Sequence, residues 1–259
     1  MTRRLAAVFA HPDDDTYGIA GTGALHRDED LALTVVLATS GEAGRILDDS
    51  LATPETLGAV REAEDRASWA AIGVEPDLRF LRHPDGGLAR IDRAELVAEV
   101  ETILREVRPD VVVTFGPDGV TGHEDHIAIG AATTDAFHRV RSPSGDGPRR
   151  LLHVALRRSR LDRFDEWRRA RGLEPLDPTQ PFAPRGVPDA HVGVVVDCSS
   201  TYERKLEALR QHRTQGELED VPFELWPILL GEEAFVLAWP QAPVGGPALS
   251  DVFEGLTGA

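Results

Sequence analysis

The chain has 259 residues, with 28 Lys or Arg against 44 Asp or Glu, for a formal net charge of −16. A hydrophobic fraction of 41% beside 28% charged residues describes a globular chain with room for one large core or two small ones. Such acidity argues against nucleic acid or an anionic membrane as partner, because those surfaces are themselves negative.

Arg3 and Arg4 precede an apolar run over 5–10. Those six residues fall short of a signal-peptide core of ~7–15 and are followed at once by His11 and three aspartates, so the run reads as a strand. A small-residue helix is predicted over 18–27 and a second strand over 31–38, bounded by Thr39, Ser40 and Gly41. The next helix is predicted to start with Thr53 as cap and Pro54 in its first position, ending near Gly73. A third strand over 78–81 follows. Asp92 and Glu95 then open a helix to 107, stopped by Pro109. A fully apolar fourth strand over 111–115 leads to a helix over 123–140.

This alternation predicts an α/β chain: a Rossmann-like, three-layer αβα sandwich on a mostly parallel sheet. The segment 142–148 (SPSGDGP) reads as a loop. Beyond it, strands are expected over 151–156 and 191–196, with a helix near 161–171 and a Pro-rich connection over 175–188 between them. A helix over 199–213, an apolar stretch over 234–239 and a Gly/Pro tail over 240–259 complete the chain. Without a repeat or a sharp change of composition, 1–259 reads as a single domain, 1–140 being its core and 141–259 completing it.

Cys198 is the single cysteine, which excludes a disulfide framework and makes the reducing cytoplasm the expected compartment. No stretch approaches the ~20 apolar residues of a membrane span. Lys205 is the only lysine and lies in a helical charge pattern, which argues against a Schiff base; a P-loop is excluded by the absence of Gly-Lys-Ser/Thr.

Doubly wound sheets bind ligands beyond the carboxyl ends of their strands, where strand order reverses. In the order 3-2-1-4, the loops after strands one and four meet there. The first is His11-Pro12-Asp13-Asp14-Asp15, and the second runs from Gly116 to His126 through GPDGVTGHEDH. Alone, the first motif reads as a helix-capping turn and His-x-x-His is equally unspecific; together at a switch point they read as a metal site. Two histidines and a carboxylate with an open position form a catalytic zinc shell, which His11, Asp14 and His126 can supply. Asp13 and Asp14, adjacent in what reads as an extended loop, point apart, so one can bind metal while the other serves as a base. His123, three residues before His126, faces the same cavity. His26, His83, His138, His153 and His191 read as surface or packing residues, and Cys198 as packing.

With AHPDDD (10–15) and TGHEDH (121–126), the chain resembles the LmbE-like, or PIG-L-type, family of zinc-dependent N-deacetylases, marked by AHPDDE and GHPDH. Supporting similarity runs through ATSGEAG (38–44), Arg61-x-x-Glu64, DGGL (85–88), RPDVVVTFGPDG (108–119) and KLEALRQHRTQ (205–215), so it spans roughly 5–215. The resemblance implies hydrolysis of an acetamide on an N-acetylglucosamine-type substrate, with one zinc ion on His11, Asp14 and His126, or another divalent metal such as iron. It implies Asp13 as general base, His123 at the oxyanion or as acid, and Asp125 orienting the ring of His123. Arg61 and Asp85 fall where relatives hold sugar hydroxyls, and Glu42 sits at the same rim. Bland alternatives stand beside these: Arg61 paired with Glu64, and Asp85-Gly86 as a turn.

Asp15 replaces the family's usual Glu, Glu124 its usual Pro, and Thr121 stands where some thiol-pathway deacetylases carry Tyr. The expected partner is a small N-acetylated amino sugar or conjugate, with homo-oligomerisation left open. A nearer rival cleaves a larger amide, such as a thiol conjugate, with the same metal. More distant rivals are a silent sugar-binding protein and a nucleotide-binding module. The nucleotide fingerprint is missing, because Gly18-x-x-Gly21-x-Gly23 has the wrong spacing and falls inside a helix.

Overall fold

The first apolar run forms β1 (Arg3–Phe9) at the centre of the sheet in a computed structural model that describes residues 2–141, 147–216 and 221–256. It pairs in parallel with β2 (Leu31–Thr39) on one side and β4 (Val111–Phe115) on the other. All of β4 and the last five residues of β1 are buried, as expected of strands covered on both faces. Beyond β2 lies β3 (Asp77–His83), and beyond β4 lies β5 (Arg150–Arg157), both parallel. The order 3-2-1-4 therefore holds, and the switch point falls where the two motif loops meet.

The second half extends the same sheet. β8 (Glu232–Trp239) runs antiparallel to β5, and β7 (Val194–Asp197) antiparallel to β8; the short β6 (Gly186–Val187) pairs with the end of β5. Helix α1 (Asp14–His26) packs with α2 (Leu57–Ile72) and α7 (Tyr202–Leu209), while α3 (Arg93–Val107) packs on α5 (Glu124–Val140). Helix α6 (Arg158–Ala170) lies against β5 and β6, and α8 (Trp226–Leu230) against α7. Among the described residues, no helix is long and apolar enough to cross a membrane.

The local signals act mostly as read. Gly73 closes α2 in the left-handed conformation, and Asp92 caps α3 by accepting from the backbone N–H of Ala94. Thr53 and Pro54 instead form the turn before α2: the Thr53 carbonyl accepts from Thr56 and Leu57, and the helix starts at Leu57. The strand expected over 191–196 begins at Val194, after a 3-10 turn at Asp189–His191, and the helix expected over 199–213 is confined to α7. A helical turn at Gly119–Gly122 (α4) was not predicted, and residues 142–146 of the expected loop lie outside the described residues.

The three glycines of α1 are packing positions. A Cβ on Gly18 would stand 2.8 Å from the Phe9 ring, one on Gly21 2.6 Å from Cys198 Sγ, and one on Gly23 2.9 Å from the Trp69 ring. They let α1 approach its neighbours closely, which accounts for them without a nucleotide. Cys198 is buried in that contact.

Candidate metal centre and active site

The HPDDD segment is a tight turn rather than an extended loop. Asp13 takes φ 105°, a conformation L-residues rarely adopt, and Asp14 is already the first residue of α1. The reversal separates the two carboxylates. Asp14 turns back to accept from the His11 backbone N–H at 2.8 Å, whereas Asp13 faces Arg61.

The loop after β4 delivers the second set. His123 caps α5, its Nδ1 accepting from the backbone N–H of Asp125 at 3.2 Å. His126 lies one turn in, stacked on Phe115 with ring centroids 4.0 Å apart and planes within 5°. Its Nδ1 lies 3.0 Å from the Gly119 carbonyl, which can only accept a hydrogen bond, so Nδ1 carries the hydrogen and Nε2 keeps its lone pair. Gly119 and Val120 reach that place with φ 61° and 63°, and the Val120 carbonyl is held by the Arg185 N–H. For a β-branched residue this is local strain stored in the loop that carries the site.

Three donors converge here. His11 Nδ1 lies 3.2 Å from His126 Nε2, and Asp14 places Oδ2 3.3 Å from the first nitrogen and Oδ1 3.3 Å from the second. Ligands ~2.0–2.1 Å from one tetrahedral ion stand roughly 3.3–3.4 Å from one another, which is close to the separation within each of these three donor pairs. Two imidazole nitrogens and a carboxylate are also the donor chemistry of a divalent transition metal. The residues present fit a metal ion.

The charges of the site act strongly on one another. Burial pushes the Asp14 carboxyl up, but the imidazoles of His126 and His11 outweigh it and hold the group well below the usual range. Burial pulls His11 down, yet Asp125, Asp14 and Asp85 raise it well above an ordinary histidine. Its Nε2 lies 3.0 Å from Asp85 and 3.5 Å from Asp125 without a well-directed hydrogen bond to either. His123 is lowered, first by burial and then by His11 and His126, so it is neutral at pH 7. With Nδ1 accepting, its proton sits on Nε2.

Several expected partnerships are rearranged. The carboxylate of Asp125 does not orient His123; fully buried, it accepts from the backbone N–H groups of Gly86 and Leu88 and faces His11. The hydrogen bond between Asp125 and His123 comes from the Asp125 backbone N–H. Arg61 does not pair with Glu64, which accepts from Thr214 instead. It is buried and donates to the carbonyls of Pro12 and Gly41 and to Asp13 Oδ2 at 2.7 Å. Asp85 lies inside the site rather than in a free turn, and Glu42 braces it by accepting from its backbone N–H at 2.8 Å.

A cleft of about 1010 Å³ opens over this constellation, lined among others by Asp13, Arg61, Asp85, His123 and Gln215. Phe182 stacks on His123 at its wall, with centroids 4.8 Å apart. Sequence reasoning missed this aromatic in the Pro-rich connection, and missed Phe115 under His126, because nothing in either local pattern marks a ring contact across the fold. It also passed over His212, which is fully buried, pushed down to about 3 by burial, and bonded to Thr16 at 3.0 Å.

A carboxylate beside a His/His/Asp donor set, at the switch point of a parallel sheet and under an open cleft, is the apparatus of a hydrolase. The family described as PIG-L, GlcNAc-PI de-N-acetylase, matches residues 6–137. A 1D-myo-inositol 2-acetamido-2-deoxy-alpha-D-glucopyranoside deacetylase of Thermobifida fusca is 34% identical, over 95% of this chain and 96% of its own. The protein of the same description from Kineococcus radiotolerans is 31% identical, over 87% and 75% respectively. Among solved structures, a conserved protein of Thermus thermophilus shares the fold with a TM-score of 0.62 at 24% identity, over 94% of this chain and 98% of its own. This chain belongs to the PIG-L family.

Proposed function

We propose that the chain is a metal-dependent hydrolase that removes the acetyl group from an N-acetylglucosamine-type substrate. The observation that carries this reading is a donor trio whose pairs stand at ligand separations, with Asp13 beside it, held by Arg61. The curated relatives are named for deacetylation of an acetamido sugar, which supports the same reaction class. His11, Asp14 and His126 are the ligands, and the donor set suits a single zinc ion, with ferrous iron also compatible. A divalent ion held by these residues would supply a water of lowered pKa and polarise the acyl carbonyl.

The chain's own residues do the rest. Asp13 takes the proton of the attacking water, its carboxylate held towards the cleft by the Arg61 guanidinium. His123, neutral and with its proton on Nε2, donates to the carbonyl oxygen as negative charge develops there. The C–N bond breaks as Asp13 passes its proton to the leaving amine, so acetate and a free amino sugar depart. Arg61, Asp85 and Gln215 on the cleft wall bind the sugar hydroxyls, with Phe182 beside them. The sheet that runs unbroken from β4 into β5, β8 and β7 supports one domain over 1–259, and the single cysteine supports a cytoplasmic setting.

The test is Asp13→Asn assayed for acetate release from N-acetylglucosaminides, with metal content measured in parallel. The variant is expected to keep its metal and lose on the order of 10²–10⁴-fold in kcat. An active, metal-loaded variant would remove Asp13 from the mechanism.

A further inference from the structure

A second cavity, of about 300 Å³, shares Asp14, Tyr17, Thr121 and His126 with the cleft and is lined further by residues of β5 and β8. Its wall is largely apolar, made by Gly18, Phe115, Val154, Leu156, Pro184 and Leu229. Besides Asp14, four charged residues also reach it, and all four are engaged elsewhere. Lys205 donates to Glu233 and to the Tyr17 carbonyl, each at 2.6 Å, and Glu233 also accepts from the backbone of Gly21 and Thr22. Arg160 donates to the carbonyls of Ile228 and Glu232, and the Glu232 carboxylate is held by Arg157. With those bonds made, the cavity presents hydrocarbon to an occupant. Its volume is roughly twice that of a dry 150 Å³ cavity able to hold benzene.

The two cavities meet at two of the three donors. An acyl carbon placed there has its nitrogen substituent on one side and its carbon chain on the other. The polar cleft suits the sugar that carries the nitrogen, which leaves the apolar cavity for the acyl chain. An acetyl methyl group would leave most of that volume empty.

We propose that this cavity is an acyl-chain pocket and that the enzyme hydrolyses N-acyl amino sugars with chains of about four to eight carbons, at a volume scale set by the benzene-sized reference. The inference rests on the hydrolase reading above. The bonds changed are the same: water oxygen joins the acyl carbon, the C–N bond breaks, and the products are a medium-chain carboxylate and the free amine. Leu156 and Val154, two apart on β5, share one face of the strand and set the depth of the pocket.

The test compares glucosamine carrying acetyl, butanoyl or hexanoyl groups, by kcat/KM and by calorimetric binding to metal-stripped protein. Each methylene that becomes buried is worth up to about fourfold in affinity. Hexanoyl is therefore expected to bind at least about tenfold more tightly than acetyl and to be cleaved at least as efficiently. Leu156→Trp, or Leu229→Phe where the tryptophan prevents folding, is expected to lower the hexanoyl-to-acetyl ratio by about tenfold or more in both measurements. Equal binding of the two chains, or an unchanged ratio in a folded variant, overturns the pocket. Release of acetate with no release of hexanoate overturns it while leaving the deacetylase standing. If no acyl group leaves any compound, the hydrolase reading fails, and binding by the stripped protein still decides whether the cavity takes the chain.

Discussion

Asp125 shows how a single residue changes meaning between the sequence and the structure. The motif places it beside His123, and the resemblance assigns it to that ring; the fold turns its carboxylate the other way, onto His11 and the backbone of Gly86 and Leu88. Burial works against its ionisation, but His11 and the two N–H groups outweigh it and hold the carboxyl below the usual range. Partners that orient a ligand imidazole are typically worth about 10–100-fold in metal affinity or activity. Asp125→Ala is therefore expected to weaken metal binding by about that factor, with most activity restored at saturating metal. A variant with native metal affinity and a depressed kcat would return Asp125 to the His123 side. Arg61 is a similar case: its residue type was legible as functional, but its use as the clamp on Asp13 needed the Pro12 and Gly41 carbonyls beside it.

Among the elements, α1 and α2 explain the departure at Asp15. Its carboxyl points inward, fully buried, accepts from the Trp69 indole at 2.5 Å, and meets Asp65 of α2. Burial pushes Asp15 up to about 6, and burial together with Asp15 pushes Asp65 well above its ordinary value, so the pair is held as a shared-proton contact between helices. A folded-state pKa above the unfolded one gives stability that is complete below about pH 4 and lost as pH rises through the folded value near 6. The loss approaches roughly 3 kcal/mol for a shift of this size, at about 1.4 kcal/mol per unit. Asp65→Asn, which needs no proton to be neutral, is expected to gain several degrees in Tm over the native chain at pH 8 and much less at pH 5. A Tm difference that does not vary with pH would count against the shared proton. Helix periodicity located both helices, but it left Asp15 in the loop before the first of them, and the local sequence gives no hint of a second Asp across the interface.

Across the whole molecule, the second half is stapled to the first through a buried charge. Lys205 on α7 and Glu233 on β8 are both nearly inaccessible, and Glu233 also holds the backbone of Gly21 and Thr22 in α1. The antiparallel edge of the sheet is thereby fixed against the helix that carries Asp14. Removing one member of such a pair leaves an uncompensated buried charge and costs about 3–5 kcal/mol. Lys205→Met alone is expected to lower Tm by roughly 6–20 °C, and the double variant Lys205→Met with Glu233→Leu to lose less than the sum of the singles. Additive losses in a thermal-denaturation cycle would mean that the two groups act independently. The sole lysine read only as part of a helical charge pattern, and its burial came with the packing of β8.

What the sequence determined by itself is whatever is encoded within one element or at its end. Apolar runs placed the four core strands, Gly73 and Asp92 marked the end of α2 and the start of α3, and the chain order of βα units dictated which two loops meet at the switch point. His11, Asp14 and His126 were legible because their loops follow strands that the parallel topology makes neighbours, β1 and β4. The tertiary structure decided every contact that depends on side-chain direction: Arg61 on Asp13, Asp125 on His11, Asp15 on Asp65, and the apolar cavity that Asp14 and His126 also line. Periodicity reports which face of an element is buried. It carries no record of which distant residue fills the space opposite, because that is settled by the joint packing of elements far apart in the chain.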